Sequence, residues 1–184
     1  FIFYRRSPRN ACSLDPELIR NLPEYIRPVA VFVNDDDDTI QDICIRYGFR
    51  IVQLHGDEAP EQCRRLRDRG LVVIKAIGVD DDLDWNTLAP YRGCVDMFLF
   101  DTRTKARGGS GRKFRWQHLD AYPLDIPYIL SGGIGPDDID HIVAAMRPGM
   151  VGIDINSRFE SAPGIKDVAL LARFIVSLRK FNED

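Results

Sequence analysis

The chain has 184 residues, 45% of them hydrophobic, with a formal net charge of -3; that length suits one domain with a well-buried core. Neither a basic footprint for nucleic acid nor a long acidic tail dominates, and no apolar run approaches the roughly 20 residues that cross a bilayer. Cys12, Cys44, Cys63 and Cys94 form no CxxC pair and have no histidine at metal-ligand spacing, which argues against a disulfide framework and a zinc site and fits a reducing cytoplasm.

In chain order, short apolar runs alternate with longer charged segments of helical period, the pattern of parallel strands joined by crossover helices. Residue 1 is Phe, and the chain opens directly on a strand-like run over 1–4. Further strands are expected over 29–34, 51–55, 72–79, 97–101, 128–131 and 151–155, most of them apolar on both faces, as strands buried between helices are. Helices are expected to start at Asp15-Pro16, between Asp38 and Ile40, at Pro60-Glu61 and at Pro136-Asp137, where proline and acidic residues favour a first turn. In the last segment, Val168, Leu171, Ala172, Ile175 and Leu178 fall on one face and are expected to pack inward. The acidic runs Asp35 to Asp38 and Asp80 to Asp82 follow strands and precede helices, where negative charge complements the helix dipole. Seven strands starting roughly 25 residues apart predict a (β/α)₈ barrel with its first βα unit absent and strands two to eight present, as a single α/β domain over 1–184.

In such a barrel the chemistry sits at the C-terminal strand ends and in the loops after them. There the chain places Asp101-Thr102, then Gly108-Gly109-Ser110-Gly111, then Ser131-Gly132-Gly133, then Asp154-Ile155-Asn156-Ser157. Glycines let backbone N–H groups approach an anion closely, and three consecutive loops of this kind point to a phosphate. After the first run, Arg5, Arg6 and Arg9 stand near the same mouth, and arginine offers a two-pronged grip on a carboxylate. His55 is read as a hydrogen-bonded structural imidazole, and His118 and His141 as surface residues of helical segments.

The stretches Ser7-Pro8-Arg9, Val31-Phe32-Val33-Asn34, Val52 to Glu58 (VQLHGDE), Lys75-Ala76, Asp101-Thr102, Gly108 to Gly111, Ser131-Gly132-Gly133, Pro163-Gly164 and Lys166-Asp167, in this order, resemble phosphoribosylanthranilate isomerase from end to end. The resemblance implies an Amadori rearrangement in tryptophan biosynthesis. The ribose ring opens by protonation of its ring oxygen, and a base then removes the C2′ proton to give the enol of the ketose. By the same resemblance Asp101 is the general acid and Arg9 grips the anthranilate carboxylate. The backbone of Gly109, Ser110, Gly111, Gly132, Gly133, Asn156 and Ser157 holds the phosphate, and Asp154 shapes the mouth. Two proton transfers within one substrate need neither a metal nor an organic cofactor. The expected partner is the small substrate alone, acting on a cytoplasmic monomer or homodimer.

Two departures stand out. The family's general base is a cysteine in a Lys-x-Cys-Gly motif at the end of the first strand, which this sequence lacks; the chain therefore reads as beginning inside the gene product. Cys12 is the nearest cysteine in sequence but lies beyond Arg9 toward the next helix, and the other three read as inert packing residues. In the last loop, Arg158 stands where many family members have Gly; it either adds charge to the phosphate grip or points to solvent, the second being the favoured reading. Rival readings are another sugar-phosphate aldose–ketose isomerase barrel, which would need a second phosphate site, and a non-catalytic phosphate-binding barrel.

Overall fold

The computed structural model describes residues 1–102 and 115–181. These divide into two compact units, one formed by 1–77 and 86–99 and the other by 78–85, 100–102 and 115–181.

In the first unit, β1 (Val29–Phe32), β2 (Ile51–Leu54) and β3 (Val72–Val79) lie side by side and parallel, with Val29 opposite Ile51 and Ile51 opposite Val72. The expected opening strand is a short parallel ladder: Phe3 N–H donates to Val31 O, and Val31 N–H to Phe1 O, each at 2.8 Å. Alternation decides which side chains are buried. Ala30, Phe32, Val52 and Leu54 are wholly enclosed while Val29, Val31, Ile51 and Gln53 are half-buried. Phe3 and Phe32 join Tyr47 and Phe49 in one aromatic cluster, with ring centroids 5.0–5.9 Å apart.

The helices begin close to where their caps predict. Asp15 caps α1 (Pro16–Arg20) and Asp36 caps α2 (Asp37–Tyr47), each accepting a backbone N–H of the first turn. α2 stops at Gly48, whose φ of 80° suits glycine alone at low cost. α3 (Pro60–Asp68) opens on its proline. Arg20 then ties α1 to α2, its Nη2 donating to the carbonyls of Ile45 and Arg46.

In the second unit the end of β4 (Met97–Thr102) is followed in sheet order by β5 (Tyr128–Leu130) and β6 (Met150–Ile153), with Tyr128 opposite Met150. Trp85, Phe100, Tyr122 and Tyr128 pack against one another with centroids 5.0–5.5 Å apart. α4 (Ile139–Ala145) starts later than Pro136. The cause is Asp138, whose Oδ2 accepts from Gly135 N–H at 2.6 Å and holds 135–138 as a turn.

After β6 comes a feature the sequence reading missed, the antiparallel hairpin of β7 (Glu160–Ala162) and β8 (Ile165–Lys166), which precedes α5 (Val168–Lys180). The buried face of α5 also differs from expectation. Phe174 is 3% exposed, with Leu170, Leu171 and Leu178 half-buried around it, whereas Val168, Ala172 and Ile175 are exposed. The anchor is Phe159, fully enclosed and 4.8 Å from the Phe174 ring, which rotates the helix toward that line of residues.

Candidate functional site

Three neighbouring strand ends carry most of the expected site residues of the second unit. Asp101 is half-buried at the end of β4, where its Oδ1 accepts the Thr102 N–H at 2.8 Å. Thr102 Oγ1 reaches the carbonyl of Gly132 at 3.4 Å, so the turn after β5 lies directly on the end of β4. Gly132 has φ of 101°, and a methyl group there would sit 2.3 Å from Thr102 Oγ1 and 2.7 Å from Thr102 N. Gly133 follows at φ 71°. Two successive left-handed residues at a strand end demand glycine.

Ser131 is buried, and its N–H donates to Phe100 O at 2.8 Å. Its hydroxyl donates to Asp154 Oδ2 at 2.9 Å, while Asp154 N–H donates to Leu130 O at 2.7 Å. One carboxylate is thereby fixed at the end of β6 and another at the end of β4, on either side of the glycine turn. Asn156 and Ser157 follow on the exposed surface of the next turn. Asn156 has unusual backbone angles, φ -135° and ψ -97°, and it is pinned by Lys166 of β8. The Lys166 ammonium donates to Asn156 O at 3.0 Å and Oδ1 at 2.6 Å, and also to Glu160 Oε1 at 3.1 Å. Gly109, Ser110 and Gly111 lie outside the described residues.

In the first unit Arg9 is half-buried in a turn whose N–H groups are satisfied locally, Arg9 N–H by Ser7 Oγ and Ser7 N–H by Tyr4 O. His55 Nδ1 lies 2.9 Å from Gln53 Nε2, a hydrogen-bonded imidazole as expected. Cys12 is exposed and Cys44, Cys63 and Cys94 are buried. Burial pushes the Cys44 thiol up to about 11 and the Cys63 thiol to about 12, so neither forms a thiolate near neutral pH. His118 departs from its surface reading: it is half-buried, stacked on Trp85 at 5.1 Å, with Nε2 3.3 Å from Leu83 O.

The sequence reading also gave no role to a buried ion pair between the middle of β3 and the loop after β2. Lys75 and Glu58 have side chains 3% and 0% exposed and meet at 3.1 Å. Lys75 Nζ also donates to the carbonyls of Leu54, Gly56 and Ala76. Glu58 accepts the N–H groups of Asn34 at 2.8 Å and Gly56 at 2.9 Å. A charged pair this deep is tolerated because both partners are fully hydrogen-bonded. Its signal in the sequence was a lone lysine inside the apolar run of β3. Gly56 is required beside it, since a methyl group there would lie 2.2 Å from Asn34 Oδ1 and 2.8 Å from Asn34 N.

The profile of the N-(5'phosphoribosyl)anthranilate (PRA) isomerase family matches residues 1–177. An N-(5'-phosphoribosyl)anthranilate isomerase of Phocaeicola vulgatus is 40% identical over 180 residues, covering 98% of this chain and 86% of the relative. That of Parabacteroides distasonis is 41% identical over 177 residues, covering 95% and 80%. Among solved structures, phosphoribosyl anthranilate isomerase from Thermotoga maritima superposes with a TM-score of 0.82 at 33% identity, over 98% of this chain and 86% of that one. A phosphoribosyl anthranilate isomerase in complex with reduced 1-(o-carboxyphenylamino)-1-deoxyribulose 5-phosphate gives 0.78 at 30% identity, with the same coverage. No helix among the described residues is long and apolar enough to cross a membrane.

Proposed function

The chain belongs to the N-(5'-phosphoribosyl)anthranilate isomerase family, and on that premise we propose which of its residues carry the reaction. The fold is the (β/α)₈-barrel class of that family's solved structures. The activity is the conversion of N-(5'-phosphoribosyl)anthranilate to its 1-deoxyribulose 5-phosphate isomer in tryptophan biosynthesis.

Asp101 is the general acid that protonates the ribose ring oxygen. The observation that carries this role is its station at the end of β4, half-buried and adjoining the Gly132 turn through Thr102. The turns of Gly132 and Gly133 and of Asn156 and Ser157 receive the phosphate, with Gly109, Ser110 and Gly111 completing the grip. Asp154, oriented by Ser131, shapes the mouth. Arg9 takes the anthranilate carboxylate with its planar fork. The family's proton acceptor is the cysteine of a Lys-x-Cys-Gly motif, a motif these 184 residues do not contain, and no described residue is assigned that role. The chemistry needs no cofactor, because both proton transfers occur within one small substrate. The protein works in the cytoplasm as a monomer or homodimer, without nucleic-acid or membrane partners.

The test is turnover of phosphoribosylanthranilate by the full-length gene product, with Asp101→Asn alongside. A positioned acid contributes about 10²–10⁴-fold, so the variant should lose that much in kcat while binding inorganic phosphate as before. A variant retaining more than a tenth of the wild-type rate would remove Asp101 from the acid role.

A further inference from the structure

The last loop of the site carries a cation that this scheme leaves unused. Arg158 is exposed in the short 3₁₀ turn Ser157–Phe159 after β6. Its backbone is fixed on both sides. Two residues earlier Asn156 is clamped by Lys166, and one residue later Phe159 is fully enclosed against Phe174.

The start of the Arg158 side chain lies beside Gly135, in the turn after β5. A methyl group at Gly135 would lie 3.9 Å from both Cβ and Cγ of Arg158. The start of the arginine stem therefore faces Gly135, which shares its turn with Gly132 and Gly133, and Asp138 Oδ2 lies 3.6 Å from the same methyl position. Asp138 is the acid nearest to this contact, and its Oδ2 is already occupied by Gly135 N–H. Arg158 makes no hydrogen bond or ion pair to another described residue.

Charge bookkeeping points the same way. A phosphate monoester carries between one and two negative charges near neutral pH. Of the cations on the turn and hairpin that follow β6, Lys166 is committed to Asn156 and Glu160. Arg158 is the described cation of that turn and hairpin that remains available, and its planar fork matches two phosphate oxygens.

We propose that Arg158 is a phosphate ligand, its stem resting on Gly135 and its guanidinium closing over the substrate's 5-phosphate above the turns that follow β5 and β6. This rests on the phosphate reading of the same turns. Of the two alternatives the sequence left for Arg158 it takes the phosphate contact over the solvent-facing one, and it gives this chain a charged contact at a position where the family pattern has glycine.

Arg158→Gln keeps the stem and removes the charge, and Arg158→Lys keeps the charge without the fork. Inorganic phosphate binding by titration calorimetry is the probe, with KM and kcat for phosphoribosylanthranilate as a second readout and thermal melting as the control for folding. A charge-assisted contact worth about 1.5–3 kcal/mol corresponds to roughly ten- to hundredfold in affinity. Arg158→Gln should weaken phosphate binding and raise KM by at least about tenfold, with kcat within a factor of about two. Arg158→Lys should recover part of the loss. Equal phosphate affinity in wild type and Arg158→Gln overturns the proposal and leaves the functional reading intact. A wild-type protein that binds no phosphate overturns both.

Discussion

At the scale of the residue, two positions show how little freedom the strands and the loops after them have. Lys75 and Glu58 are enclosed together, so removing one charge strands the other. Lys75→Met is expected to cost about 3–5 kcal/mol, read as a lower midpoint in urea unfolding, and the double change with Glu58→Gln should cost less than Lys75→Met alone. A double variant as unstable as the sum of the singles would show that the two side chains do not act as a pair. Gly132 presents a different constraint, a left-handed φ and backbone 2.7 Å from where a methyl group would go. Gly132→Ala should therefore displace Thr102 and the end of β4, lowering stability by about 1–3 kcal/mol and weakening phosphate binding. Unchanged melting and unchanged phosphate affinity in that variant would count against the close approach described here.

At the scale of the element, the helix starts were readable because proline and aspartate act locally: Asp15 and Asp36 cap α1 and α2 without help from distant residues. The inward face of α5 was not readable, because five apolar residues fit one stripe while the docking is decided by Phe159, a residue outside the helix. α4 was misplaced for a similar reason, since Asp138 turns back onto Gly135 instead of capping the helix. Between elements, Arg65 of α3 grips Asp37 at the start of α2 at 2.6 Å and holds its carboxyl below the ordinary value of 3.8. A carboxyl with a depressed folded value stabilises the native state above the unfolded value, and that contribution disappears as pH falls through the folded one. Wild type should thus melt higher than Asp37→Asn at pH 6, and the gap should close as pH drops from about 4 toward 2. A gap independent of pH would assign the effect to packing.

At the scale of the whole molecule, the strand-end placement of Asp101, Gly132, Gly133 and Asp154 was legible in the sequence, because each follows or ends an apolar run. The site was illegible where a role depends on tertiary partners, as for Lys166 holding Asn156 or Ser131 orienting Asp154. Surface composition was also hidden. Val151, Ile165, Val168, Val176 and Phe181 of the second unit are 49–74% exposed, and Val151 lies on β6, the last strand in sheet order. Exposed apolar side chains near a strand edge favour association. The 184-residue chain should self-associate at micromolar concentration in analytical ultracentrifugation, and Val151→Lys with Val168→Lys should reduce it; equal sedimentation of both forms would dismiss these side chains as the cause. The buried glutamate has one more consequence, on the exchange of amide protons with heavy water. Loop amides ordinarily exchange quickly, but those of Asn34 and Gly56 are bonded to Glu58, an acceptor sealed from solvent. Their deuterium uptake should keep pace with that of the adjoining strands, making these two loop positions clocks for the opening of the first unit.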